Sequence, residues 1–258
     1  MQAGKPTEVE KPKVDVWERT KGHNAPVQSM NRRLFMQLMV FDVSAGEVLD
    51  EVLDSMETAL SHAGVDAVLY EDMNNPRSVG LLTWSENPEH FVLRVRPALN
   101  SKKLSHQLTL KPDFTMIGRT YSTGYEPSLE FWLINRPIET ALNQDWRWAV
   151  WYPLRRSGAF AQLEPREQGT ILREHAEIGR SYGEQDLAHD IRLACHGLDE
   201  KDNEFVIGLV GKELHPLSHV VQRMRSTRQT SEYISQMGPF FIGHAARWVS
   251  QSTEKPGS

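Results

Sequence analysis

Two spacings of apolar residues alternate along the chain and divide it into strands and helices. Leu34-Phe-Met-Gln-Leu-Met-Val-Phe-Asp-Val43 is apolar almost throughout and reads as a buried strand. Ser44-Ala-Gly-Glu47 then has capping-box spacing, in which the Ser oxygen takes an orphan backbone N–H and Glu47 reaches back. Val48, Leu49, Val52, Leu53, Met56 and Leu60 follow at helical spacing, and Gly64 is placed to stop that helix. Residues 65–70 and 78–84 read as strands joined by the turn-rich Asn74-Asn75-Pro76. Asn87-Pro88 opens a further helix through Phe91, Val92, Val95 and Leu99.

The second half repeats that order. Residues 146–153 form a strand with aromatic alternation. A helix follows with Pro165 in its first turn, Ile171, Leu172 and Ile178 on one face, and Gly183 just past its end. Residues 190–196 and 204–210 are strands separated by Gly197-Leu-Asp-Glu-Lys-Asp-Asn203, and a last amphipathic helix carries Leu217, Val220, Val221 and Met224. Strand–helix–strand–strand–helix thus occurs twice, offset by roughly 120 residues. Local detail recurs too: Pro88…Phe91-Val92…Arg94-Val95-Arg96 echoes Pro216…Val220-Val221…Arg223-Met224-Arg225. The fold class is α+β: two ferredoxin-like halves, residues 31–145 and 146–249, whose sheets pack face to face or close into a barrel. Residues 1–30, where Lys5, Pro6, Lys11, Pro12 and Lys13 mix with Glu8 and Glu10, read as a solvated tail, as do residues 250–258.

Composition narrows the function classes. Of 258 residues, 39% are hydrophobic and 24% charged, which excludes a disordered, collagen-like or coiled-coil chain. The net charge of −5 carries no basic surplus for nucleic acid. No apolar run is long enough for a membrane span, and the polar N-terminus argues for a cytoplasmic protein. A single cysteine, Cys195, leaves no disulfide framework and no multi-cysteine zinc site within the chain.

Few side chains stand out as chemistry. His175 shares the apolar face of its helix with Ile171 and Ile178, so it is either a satisfied core histidine or a metal ligand. Tyr152 ends an aromatic strand, beside Arg155 and Arg156. Paired guanidiniums there suit carboxylate or phosphate groups, or form a plain solvated pair. His215 and His219 have chelating spacing but no third ligand nearby, and read better as exposed polar positions. His189 and Asp190 point to opposite faces of one strand, so only one of them looks into any one cavity.

Taken together, Tyr152-Pro-Leu-Arg-Arg156, Glu174-His175…Ile178-Gly-Arg-Ser-Tyr182, Gly197-Leu-Asp199, Met224-Arg225…Thr230…Tyr233 and Gly238-Pro-Phe-Phe-Ile-Gly243 resemble the chlorite dismutase superfamily. Within it, the resemblance is to the coproheme decarboxylases, the peroxide-dependent haem synthases. The resemblance implies a dimeric α+β barrel within one chain, a homo-oligomer that is often a pentamer, and a haem in the C-terminal half. It implies coproheme (iron coproporphyrin III) and hydrogen peroxide as substrates and haem b as product. His175 matches the proximal iron ligand, and Glu204 falls where family members orient that imidazole with a carboxylate. Tyr152 matches the redox-active tyrosine that takes a hydrogen from a propionate. Arg156 and Thr230 match propionate contacts, Arg225 matches an arginine near the site, and Arg136 and Tyr121 follow as further propionate contacts. Asp190 falls at the distal position, where chlorite dismutases carry an arginine. A carboxylate there disfavours chlorite and offers a base toward peroxide, and a register slip of one would put His189 in its place.

Overall fold

The computed structural model describes residues 13–22 and 26–251. The most charged part of the expected N-terminal tail, residues 1–12, and residues 252–258 lie outside these. A two-stranded hairpin, β1 (Glu18–Arg19) and β2 (Ser29–Met30), precedes β3 (Phe35–Val43), α1 (Leu49–His62), β4 (Ala67–Asp72) and β5 (Ser78–Ser85). A π-helical stretch, Phe91–Val95, runs into α2 (Arg96–Leu99), and α3 (Leu104–Gln107), β6 (Leu108–Leu110) and β7 (Met116–Arg119) follow. A second such stretch, Phe131–Asn135, runs into α4 (Arg136–Leu142). The other half holds β8 (Trp148–Arg156), α5 (Gly158–Ala161), α6 (Pro165–Glu184), β9 (His189–Ala194), β10 (Phe205–Gly211), α7 (Leu214–Arg225), β11 (Ile234–Met237) and β12 (Phe241–Val249).

Each half has ferredoxin-like order. In the first, β7, β3, β5 and β4 lie side by side; in the second, β12, β8, β10 and β9 do. The halves join at two seams, β4 against β12 and β7 against β9, and β8–β10 pairing completes the ring. All eight strands are antiparallel to their neighbours, so the sheet closes into one barrel with no free edge. Of the two packings open to the sequence, closure is the one formed.

Strand alternation sorts side chains between two layers. Leu34, Met36, Leu38 and Val40 fill the barrel, whereas Phe41 and Val43 face α1 with Val52, Leu53, Met56 and Leu60. In β8, Ala149 and Trp151 point into the barrel, and Val150, Tyr152 and Leu154 point out beneath α6 and α7. Ile191, Leu193 and the buried Cys195 also face the interior. Burial pushes the Cys195 thiol up to about 12, with Asp199 and Glu204 adding to the shift. The duplication is visible in packing. A side chain at Gly80 of β5 would meet the Phe241 ring at 2.5 Å, and one at Gly208 of β10 would meet the Trp151 ring at 2.6 Å.

Several local expectations are corrected. Ser44 and Glu47 do not cap α1: the Ser44 hydroxyl donates to the His106 carbonyl, and Glu47 accepts from Gln107. Gly64 does end the helix, with φ +65°, a conformation that costs glycine nothing. Gly183 lies inside α6, which runs on to Glu184. Part of the expected tail is structured. Glu18 accepts from the Ser122 backbone at 2.9 Å, and Lys21 donates to the Gly124 carbonyl at 2.7 Å. No helix among the described residues is long and apolar enough to cross a membrane.

Gly208→Ala should push its methyl against Trp151 and destabilise the barrel by roughly 1–3 kcal/mol, an overpacking cost. A fall in Tm on thermal unfolding checks this, and an unchanged Tm would show that the indole has room to move.

Candidate functional site

The outward face of β8 carries the phenol. Tyr152 is 5% exposed, flanked by Val150 and Leu154, and stacks on Phe240 at a centroid distance of 4.6 Å. Burial raises its pKa well above the usual phenol value; the Asp190 charge adds to this and Arg225 opposes it. The side chain therefore stays protonated across the neutral range.

The outward face of β9 supplies the charge. Asp190 and Arg192 are two residues apart on one strand, so they share a face, opposite Ile191 and Leu193. Arg192 Nε donates to Asp190 Oδ2 at 2.8 Å. Arg136, from α4, donates to Asp190 Oδ1 and to its backbone carbonyl, each at 2.8 Å. Burial pushes the Asp190 carboxyl up, but Arg192 and Arg136 outweigh it and hold it below the ordinary carboxylate range. A carboxylate clamped by two guanidiniums is a weaker proton acceptor than a free one. Asp190 and Arg192 keep 36% and 39% of their side-chain surface accessible. This charged pair belongs to the outward face of β9 and not to the packed barrel interior. His189 turns the other way, stacked on Trp146 at 3.6 Å and bonded to Asp186 at 2.9 Å. Tyr121 completes this side. It lines, with Arg136 and Arg192, a cavity of about 20 Å³, and the charges of Arg192 and Arg156 act on it.

Across from β8 and β9 lies α6. In twenty residues it buries only Ile171, whereas α1, with fourteen, buries four. The sheet face is therefore covered tightly in the first half and loosely in the second. His175 sits in that loose layer. Its Nδ1 lies 3.4 Å from the Thr227 hydroxyl, and Nε2 makes no hydrogen bond among the described residues. Burial lowers the His175 pKa; Arg192 lowers it further, while Asp190 and Glu174 oppose. The β9 charges thus act on the α6 imidazole.

Glu204 does not orient His175. It accepts from Arg156 through the backbone N–H and Nε at 3.1 Å, with a further contact from Arg156 Nη2. That guanidinium also lies between the Phe160 and Phe205 rings, at 4.5 and 4.8 Å. Thr230 joins the His175 side of the site through Thr227, hydroxyl to hydroxyl at 3.3 Å. His215 and His219 stay apart from it, with His219 bonded to Tyr182 at 2.6 Å. Two residues escaped the sequence reading. Arg192 was findable, because period two from Asp190 places it on the same face. Thr227 was not, since only the turn after α7 brings it to the imidazole.

The donor set suits a metal that brings ligands of its own. Among the described residues no group of three or more His, Cys, Asp or Glu could hold an ion. A single imidazole with Nε2 making no hydrogen bond among the described residues would hold the iron of a porphyrin, and nearby guanidiniums would suit its carboxylate arms. The sequence profile of the chlorite dismutase family matches residues 50–246, and the chain belongs to that family of haem-dependent oxidoreductases. Among solved structures, a haem-binding protein from Thermus thermophilus is 16% identical, with a TM-score of 0.66 over 84% of this chain and 92% of that one. A chlorite dismutase from Candidatus Nitrospira defluvii, in complex with imidazole, is 11% identical, with a TM-score of 0.65 over 84% of this chain and 93% of its own. A mutant of that enzyme in complex with cyanide gives 12%, 0.65, 84% and 92%. At these identities the likeness is one of fold. No curated protein matches the sequence.

The His175 shift has a consequence for stability. Its folded pKa lies below the ordinary 6.5, so the unfolded chain takes up this proton more readily. The stability that follows is present above that value and is lost as pH falls through and below it. His175→Gln should therefore flatten the acid-side loss of stability in the haem-free protein, read from denaturant midpoints between pH 7 and 5. Parallel profiles for the two proteins would refute it.

Proposed function

We propose that this chain decarboxylates coproheme with hydrogen peroxide, giving haem b. What supports the reading is a set of side chains in and around the second half: an imidazole at 175 whose Nε2 makes no hydrogen bond among the described residues, a buried phenol at 152, and the guanidiniums of Arg136, Arg156 and Arg192, with Arg225 acting on the phenol. Asp190 and Glu204 hold three of these guanidiniums in place, and guanidiniums suit anionic propionates.

His175 would hold the iron through Nε2. When bound, the iron porphyrin supplies the redox capacity that passes the oxidising power of peroxide to a nearby side chain. Tyr152 then gives up its phenolic hydrogen atom and recovers one from the adjoining propionate chain. Each propionic acid and one hydrogen peroxide become a vinyl group, carbon dioxide and two waters, so the peroxide takes up both electrons that the substrate loses. Arginine contacts fix the carbon beside the phenol, which removes the entropy cost of the encounter. Assembly as a cytoplasmic homopentamer belongs to the same reading and rests on the family alone.

A second reading, chlorite dismutation, gains from Arg192. The Asp190 charge does not stand alone, because Arg136 and Arg192 neutralise it, so an oxyanion is not repelled there.

Tyr152→Phe should leave the absorbance change on adding ferric coproheme intact and abolish carbon dioxide release, with products read by mass. Unaltered turnover in that variant would end the decarboxylase reading. Sustained oxygen evolution from chlorite, lost in Arg192→Ala, would favour the second.

A further inference from the structure

We propose that Thr227 is the positioning residue for His175, fixing the imidazole as its Nδ1–H tautomer so that Nε2 keeps its lone pair for a ligand. This rests on the reading of His175 as an iron ligand. The argument is one of proton accounting. The Thr227 hydroxyl carries a single proton, and its shortest contact, 2.7 Å, is to the Met224 carbonyl, which only accepts. That contact takes the proton, so Thr227 Oγ1 can meet His175 Nδ1, 3.4 Å away, only as an acceptor. Nδ1 must then carry the ring hydrogen. Thr227 is 1% exposed, so water does not compete for the oxygen.

Two further features bear on the arrangement. The carboxylate that would do the same work more strongly, Glu204, is committed to Arg156. A further donor meets the same oxygen: the Thr230 backbone N–H lies 3.4 Å away. The Thr230 hydroxyl, at 3.3 Å, is a longer alternative acceptor for the Thr227 proton than the Met224 carbonyl at 2.7 Å. One buried hydroxyl therefore ties the imidazole to the turn after α7. A neutral acceptor in place of a carboxylate leaves the ring less basic, so it donates less electron density to a bound iron.

The test begins without haem. In ¹⁵N-histidine NMR of the apo protein at mildly alkaline pH, His175 should be the Nδ1–H tautomer in the parent and in Thr227→Ser. In Thr227→Val it should shift toward Nε2–H. An Nε2–H ring in the parent overturns the proposal. With ferrous haem bound, the iron–histidine stretch should move to lower frequency in Thr227→Val and return in Thr227→Ser. Haem affinity should fall roughly tenfold in the valine variant. A valine variant with the parent's tautomer and stretch overturns the proposal. If valine prevents folding, the parent and serine spectra still decide. If the parent binds no iron porphyrin, the functional reading fails while the apo spectra judge the tautomer separately.

Discussion

Trp151 fills the barrel against the bare backbone of Gly208, and that contact decides which of its neighbours look outward. With Trp151 inside, residues 150, 152, 154 and 156 must lie on the other face. A slip of one residue would put the phenol in the core and the indole under the helices. The ring has no free edge along which such a slip could be accommodated, since β8 is paired with both β10 and β12. Every distance at the site inherits its value from this closure. The same pairing places Asp190 and Arg192 outward on β9, two strands from Tyr152.

Duplication explains why the site occupies one half only. Both halves have the same strand order, and each presents a glycine, Gly80 or Gly208, to an aromatic ring inside the barrel. They differ in what covers the sheet. The first half lays α1 down with Val52, Leu53, Met56 and Leu60 fully buried, and leaves no layer for a ligand. The second half replaces that apolar stripe with Ile171, His175, Ile178 and Gly179, of which only Ile171 is buried. One helix seals its sheet and the other stands off it. Function in this fold thus arises where packing has been relaxed.

Much of this was written in apolar spacing. Strands such as 34–43 and helices such as 49–60 follow from periodicity alone, and the repeat of their order predicts two equivalent halves. What periodicity does not carry is tertiary pairing. Residues 100–145 show no strong pattern, yet β7 supplies a seam of the barrel and α4 delivers Arg136 to Asp190. The capping box failed because Ser44 and Glu47 found stronger partners in the chain around His106 and Gln107. Glu204 failed as the partner of His175 for a similar reason. Just ahead of β10 it faces Arg156 of β8, and a bidentate ion pair wins over a more distant imidazole. Tyr152, His175 and Asp190 stand out in the sequence by motif and spacing. Arg192 follows from strand period two at Asp190, whereas Thr227 reaches the imidazole only through the turn after α7.

The barrel interior also settles the fate of the chain's only sulfhydryl. Cys195 is fully enclosed, and its thiol gives up a proton only near pH 12. At neutral pH roughly one molecule in a hundred thousand carries the thiolate, the form that oxidants attack. The same closed wall that turns the phenol outward therefore keeps this thiol on its far side, shielded from reagents in solution.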